Sequence, residues 1–209
     1  MTRETGTVVS LCDRSGIMVA PWVNAGYAAV TVDKEPAAHN LCEHIKCDLI
    51  ELVRYNRWDI DPLIIFAFPP CTDLAISGAR WFRDKGLQAL IDALELVETC
   101  RKLTESSYAP WMLENPVGVL STYWRDPDFA FDPCDYGDPY TKRTWIWCGN
   151  GFVMPPKIQQ GDMFDPPTVV EPTLGSIISN LPDSNGRREK REATPHGFAD
   201  AVFRANRIK

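Results

Sequence analysis

Cys71 stands directly after Pro69-Pro70, at the end of an apolar run in FAFPPCTDLAIS, residues 66–77. Two prolines fix two backbone φ angles and remove two donors, so they stop a strand and set the next residue on a stiff turn. A thiol aimed in this way suits nucleophilic work, since the thiolate is intrinsically a strong nucleophile. Most cysteines are inert packing, so the thiol gains meaning only from its company. Further along, Glu114-Asn115-Pro116 closes a second apolar run, Trp111-Met112-Leu113. An acid there is by itself an ordinary capping or turn residue. Paired with Cys71 it offers a thiolate nucleophile and a proton-donating carboxyl group on neighbouring strand ends.

The elements that must carry these residues follow a βαβ rhythm. Residues 7–11, TVVSL, read as a buried strand, followed by the polar turn Cys12-Asp13-Arg14-Ser15-Gly16 and a helical stretch that Gly26 ends. A strand over 28–32 closes on Asp33, and the pattern predicts a helix over 36–44. A strand over 63–68, a helix over 87–103, a strand over 111–113 and another over 144–147 follow, with a last amphipathic helix over 195–206. Strands alternating with helices imply a doubly wound α/β fold with a mostly parallel sheet and helices on both faces. In such sheets ligands bind beyond the carboxyl ends of the strands, where strand order reverses. Asp13, Gly16, Asp33, Cys71 and Glu114 all fall on such ends. Asp48, in Cys47-Asp48-Leu49, is a weak signal alone.

The 209 residues, 44% of them hydrophobic, suffice for one core and point to a single domain. The main body is expected over 1–150, with an irregular, proline-rich segment over 151–194 and a closing helix in 195–209 that packs back on the core. Seven cysteines, without a C-x-x-C pair or a secretory signal, argue against a disulfide framework or a zinc knuckle and for reduced thiols in an intracellular chain. Residues 15–32 are uncharged, but Pro21, Asn24 and Gly26 interrupt them, so no membrane span is expected. The net charge of -6 argues against a surface coated for non-specific nucleic-acid binding. One local basic run exists, GRREKR, where Arg187, Arg188, Lys190 and Arg191 surround Glu189. Taken alone it reads as a solvated loop.

Pro69-Pro70-Cys71 and Glu114-Asn115, in that order on successive strand ends, resemble the catalytic motifs of the cytosine-5 DNA methyltransferases, which use S-adenosyl-L-methionine. The likeness runs from Val8 to about Asn150, with an echo at the closing helix. It implies a Rossmann-like methyltransferase fold, with the segment Leu11, Asp13, Ser15 and Gly16 as the cofactor turn and Pro69 beside the cofactor. It also implies that Asp33 holds the ribose hydroxyls and that Asp48 lies near the adenine amino group. Gly137-Asp138-Pro139-Tyr140-Thr141-Lys142-Arg143 is similar to the family's arginine motif, which implies Arg143 at the cytosine carbonyl. Ser77, Arg80 and Lys142, with the basic run, would then meet the nucleic acid. The chain departs from the family pattern at Arg14, where glycine is usual, and at Thr72, Pro116, Tyr140 and Thr141.

The resemblance implies duplex DNA as partner, with the target cytosine flipped out of the stack, since carbons 5 and 6 are out of reach inside a duplex. Thiolate addition at carbon 6 turns carbon 5 into a nucleophile, and a carboxyl group can stabilise charge arising at nitrogen 3. The interval where the family carries a target recognition domain is short here, so the expectation is a minimal, phage-like form with relaxed specificity in the cytoplasm of a bacterial or phage-infected cell. The acidic charge keeps RNA, single-stranded DNA or a free cytidine nucleotide open as substrates of the same chemistry. A non-catalytic nucleic-acid-binding module is the third reading.

Overall fold

The computed structural model describes residues 6–55, 58–158 and 193–208. Arg187, Arg188, Lys190 and Arg191 lie outside the described residues. A seven-stranded sheet forms the centre, in the order β3-β2-β1-β4-β5-β7-β6. Its strands are β1 (Thr7–Leu11), β2 (Ala29–Asp33), β3 (Glu43–Lys46), β4 (Pro62–Ala67), β5 (Trp111–Pro116), β6 (Phe129–Phe131) and β7 (Thr144–Gly149). The pairs from β3 through β5 are parallel. Only β7 runs against its neighbours, inserted between β5 and β6. Strand order reverses between β1 and β4, and this is the switch point of a Rossmann-like α/β sheet.

Near-continuous Val, Ile and Phe runs in β1, β2 and β4 suit strands covered on both faces. Alternation assigns each residue a side. Val8, Ile64, Phe66 and Met112 pack on one face with α1 (Ala20–Asn24) and the closing helix α5 (His196–Asn206), through Trp22, Phe198 and Val202. Val9, Leu11, Ile65, Ala67 and Leu113 pack on the other against Val97, Cys100 and Leu103 of α3 (Phe82–Ser106), joined by α2 (Leu49–Arg54) and α4 (Leu120–Tyr123). The first helix and the last meet directly, with the rings of Trp22 and Phe203 edge to face at 5.1 Å. Among the described residues no helix is long and apolar enough to cross a membrane.

The helix expected over 36–44 is absent. A loop and the edge strand β3 take its place, with Val30↔Glu43 and Val32↔Ile45 as register partners. Two histidines carry the difference: the Thr31 hydroxyl bridges His39 Nε2 at 3.1 Å and His44 Nδ1 at 2.8 Å, which draws both side chains to β2. The early helical stretch is likewise reduced to the five residues of α1, which Pro21 opens. In α3 the regular helix begins at Leu87, as the pattern predicts, because Gly86 (φ 78°, ψ 176°) breaks the run from Phe82.

Candidate active site at the strand ends

The carboxyl ends of β1 and β4 lie side by side at the switch point, where Phe68 N–H donates to the Leu11 carbonyl at 3.0 Å. Beyond β4 the chain passes buried Pro69 and exposed Pro70 to a half-buried Cys71. The Cys71 carbonyl accepts from Leu74 N–H at 3.0 Å and Ala75 N–H at 2.8 Å, which closes a tight turn behind the thiol-bearing residue. Two further contacts hold the turn. Lys85 Nζ pairs with Asp73 Oδ1 at 2.7 Å and donates to the Thr72 carbonyl at 2.9 Å. On the other side Ile76 N–H donates to Val117 O and Val119 N–H to Leu74 O, so the turn joins the segment after β5 as a short antiparallel bridge at Gly118. A Cβ on Gly118 would lie 2.1 Å from the Leu74 carbonyl oxygen, so only glycine permits this approach.

β5 runs through Glu114 and Asn115 to Pro116, past the end of its apolar stretch. The alternation puts Glu114 on the Met112 side, facing α5, and sends the Asn115 side chain elsewhere. Asn115 is fully buried, and its amide donates to the Pro69 carbonyl at 2.9 Å. This bond ties the strand of the acid to the turn of the thiol. The Oδ1 atom of the same side chain is buried without a hydrogen-bond partner. Glu114 lines a small cavity of about 10 Å³ with Phe68, Phe131, Lys142, Thr194 and Phe198. Its Oε1 lies 3.7 Å from Lys142 Nζ, and only 16% of the acid side chain and 24% of the lysine's are exposed. Tyr140 stands close by. Burial, with the charges of Asp138 and Glu114, pushes its phenol up to about 12, so it stays a neutral hydroxyl.

Arg143 is turned away from this cavity. Its guanidinium pairs with Asp132 Oδ2 at 3.2 Å with 54% of the side chain exposed. Asp132 caps the 3-10 turn Pro133–Tyr136, and Asp138 at the end of that turn accepts from Gly197 N–H at 2.9 Å, so the same loop anchors α5. Ser77 and Arg80 are exposed on the segment after Cys71, and Arg80 lies 5.1 Å over the Trp81 ring.

On the β1 side the four candidates have separate roles. Leu11 is buried core. Asp13 is 4% exposed and its carboxylate is committed to the turn: Oδ2 accepts from the Ser10 hydroxyl, and Oδ1 from Ser15 N–H, the Ser15 hydroxyl and Gly16 N–H. Gly16 has φ +67°, and a Cβ there would lie 2.5 Å from the His39 ring. His39 Nδ1 accepts from Leu41 N–H, so Nε2 holds the proton and donates to Thr31, and burial lowers the pKa of the ring. Asp33 ends β2 one strand from this turn. Its Oδ1 accepts from Glu35 N–H at 2.8 Å, and burial raises the carboxyl above the usual aspartate range. Asp48 is exposed and caps α2, accepting from Ile50 N–H at 2.8 Å. The structure therefore ties the turn of Cys71 to β5 through Asn115 and Pro69, sets Glu114 beside Lys142, keeps Asp33 on the same sheet edge, and leaves Asp48 and Arg143 engaged elsewhere.

Five other thiols are pushed up, toward the inert protonated form. Burial does this for Cys42, Cys47, Cys134 and Cys148, the last to about 11. For Cys12 the main cause is contact with the Cys100 thiol. Gly118, the Lys85–Asp73 clasp and the orientation of Lys142 escape a sequence reading. Pro116-Val117-Gly118 signals a turn, and nothing in it names Leu74 as the partner. Compared with protein-family models and with curated proteins, the chain matches none.

Proposed function

We propose that this chain methylates carbon 5 of cytosine in DNA, using S-adenosylmethionine, with Cys71 as nucleophile and Glu114 as the acid. The observation that supports this most is the bond from Asn115 to the Pro69 carbonyl, which couples a thiol on a stiff turn to a carboxyl group on the next strand, beside the sheet's switch point. Asp33 suits a ribose-binding acid: it sits on the right edge, and its position at the end of β2 matches the crevice where such sheets take nucleotides. Asp13 and Asp48 suit structural roles better, since both carboxylates hold backbone N–H groups. When bound, S-adenosylmethionine supplies a methyl group on a positively charged sulfur.

The chain's own residues then act on the ring. The Cys71 thiolate forms a carbon–sulfur bond at carbon 6, and the displaced electron pair gives carbon 5 enamine character. Glu114 meets the charge gathering at nitrogen 3 with a hydrogen bond or a proton. After carbon 5 has taken the methyl group, its proton passes to water, and the pair from that C–H bond re-forms the double bond to carbon 6 and expels Cys71 as thiolate. The apolar walls Phe68, Phe131 and Phe198 limit water around the acid.

Methyl transfer to duplex DNA, single-stranded DNA, RNA and dCMP, compared side by side, tests the substrate. The net charge of -6 makes dCMP the serious competitor. A rate highest on dCMP would replace the polymer by the nucleotide, and transfer to none of the four would end the reading. Glu114→Gln should lose roughly a hundredfold or more in rate, the range for a positioned acid.

A further inference from the structure

We propose that Lys142, and not Arg143, is the cation that meets the substrate ring beside Glu114. This rests on the methyltransferase reading and assigns a residue within it. The two adjacent cations make different contacts, one with Glu114 and one with Asp132. Lys142 faces Glu114. Its Nζ is 3.7 Å from Glu114 Oε1, and both side chains line the same small cavity of about 10 Å³. Arg143 is spent on Asp132, which caps the neighbouring turn, and is more than half exposed. Arg143 reaches out to Asp132, and Lys142 points inward.

The chemistry of the pair defines what it can recognise. A protonated carboxyl group and an ammonium side by side match a ring edge that offers an amine donor, a ring-nitrogen acceptor and a carbonyl acceptor in a row. Cytosine presents such an edge: its amino group can donate to Glu114 and its carbonyl can accept from Lys142. Uracil exchanges the amine for a second carbonyl and carries a hydrogen on nitrogen 3, so it would turn a donor toward the Glu114 O–H and an acceptor toward its carbonyl oxygen. An ammonium is a compact charge with three donors that turn freely, whereas a guanidinium is a rigid fork. The lysine can therefore move from Glu114 to the carbonyl oxygen as the ring arrives. The negative charge that develops after thiolate addition is then met at the carbonyl oxygen by Lys142 and at nitrogen 3 by Glu114.

The test uses the full chain and the variants Lys142→Met, Lys142→Arg and Arg143→Met, each checked for folding by thermal unfolding. Single-turnover methyl transfer is measured on cytosine-containing duplex DNA. Equilibrium affinity for the same DNA is read by fluorescence anisotropy. Lys142→Met should lose roughly a hundredfold in rate, the loss typical of one removed electrostatic stabiliser, while DNA affinity changes little. Lys142→Arg should restore a large part of that rate, which a purely structural role at this position would not require. Arg143→Met should cost far less, because an exposed ion pair contributes little. A rate that survives Lys142→Met, or that falls as far in Arg143→Met, overturns the assignment. If Lys142→Met fails to fold, a rate for Arg143→Met below that of Lys142→Arg overturns it equally. Failure of the methyltransferase reading itself looks different: the unmodified chain then transfers no methyl group to any substrate, and the Lys142 role falls with it.

Discussion

The Asn115 side-chain amide donates to the Pro69 carbonyl oxygen at 2.9 Å, and both residues are buried. Through this one bond the end of β5 fixes the start of the turn that carries Cys71. Asn115→Ala leaves a buried carbonyl without its donor, which costs about 1–3 kcal/mol. Urea unfolding should show that loss. Methyl transfer by the folded variant should fall as well, because the turn of Cys71 is no longer tied to the strand of Glu114. Unchanged stability and rate together would mean that the bond positions nothing.

Gly118 makes a second demand on the same turn. A methyl group there would meet the Leu74 carbonyl oxygen at 2.1 Å, a backbone atom that cannot swing aside. Gly118→Ala should destabilise the chain by about 1–3 kcal/mol, as overpacking does. The rate should fall by more than the folded fraction accounts for. Comparing rate with folded fraction at several urea concentrations separates the two effects.

Burial raises the Asp33 carboxyl above its ordinary value, with smaller opposing help from Glu35 N–H. An acid raised in this way favours the folded chain while it is protonated, and that advantage is lost as pH rises through the folded value. Asp33→Asn should therefore be more stable than the native chain at neutral pH, and the gap should close below the ordinary aspartate range. Thermal unfolding across pH 3 to 8, roughly the span in which carboxyl groups titrate, reads the sign directly. Asp33→Ala should weaken binding of S-adenosylmethionine in calorimetry, and an unchanged affinity would remove Asp33 from the cofactor site.

The sheet was largely legible because its strands are long apolar runs ending on polar turns, and the Val, Ile and Phe content of β1, β2 and β4 leaves little choice. The edge was not. β3 reads Glu-His-Ile-Lys, half exposed, and its place depends on Thr31 reaching two histidines from another strand, a contact no local pattern encodes. The site divides in the same way. Pro69-Pro70 and Glu114-Asn115 announce stiff strand ends in their own chemistry. The different partners of Lys142 and Arg143, Glu114 of β5 and Asp132 before the 3-10 turn, are long-range contacts that no local pattern names. Asp48 is the converse case, an acid whose capping of α2 is legible from its neighbours in the chain.

The basic run bears on substrate size. If Arg187 and Arg188 hold phosphates, reversing both charges should weaken duplex binding about equally for all sequences and flatten its salt dependence. Anisotropy titrations on two unrelated duplexes at several salt concentrations check this. A loss confined to one sequence would make the run a reader of bases.

The central claim is that Cys71 attacks carbon 6 of cytosine. A duplex with 5-fluorocytosine at the target, incubated with the full chain and S-adenosylmethionine, tests it most directly, because fluorine at carbon 5 cannot leave as the proton does and the carbon–sulfur bond persists. Mass spectrometry after digestion should find the adduct on the Cys71 peptide, dependent on the cofactor and absent from Cys71→Ser. Methyl transfer that survives Cys71→Ser, or an adduct mapped to any of the other six cysteines, would contradict it.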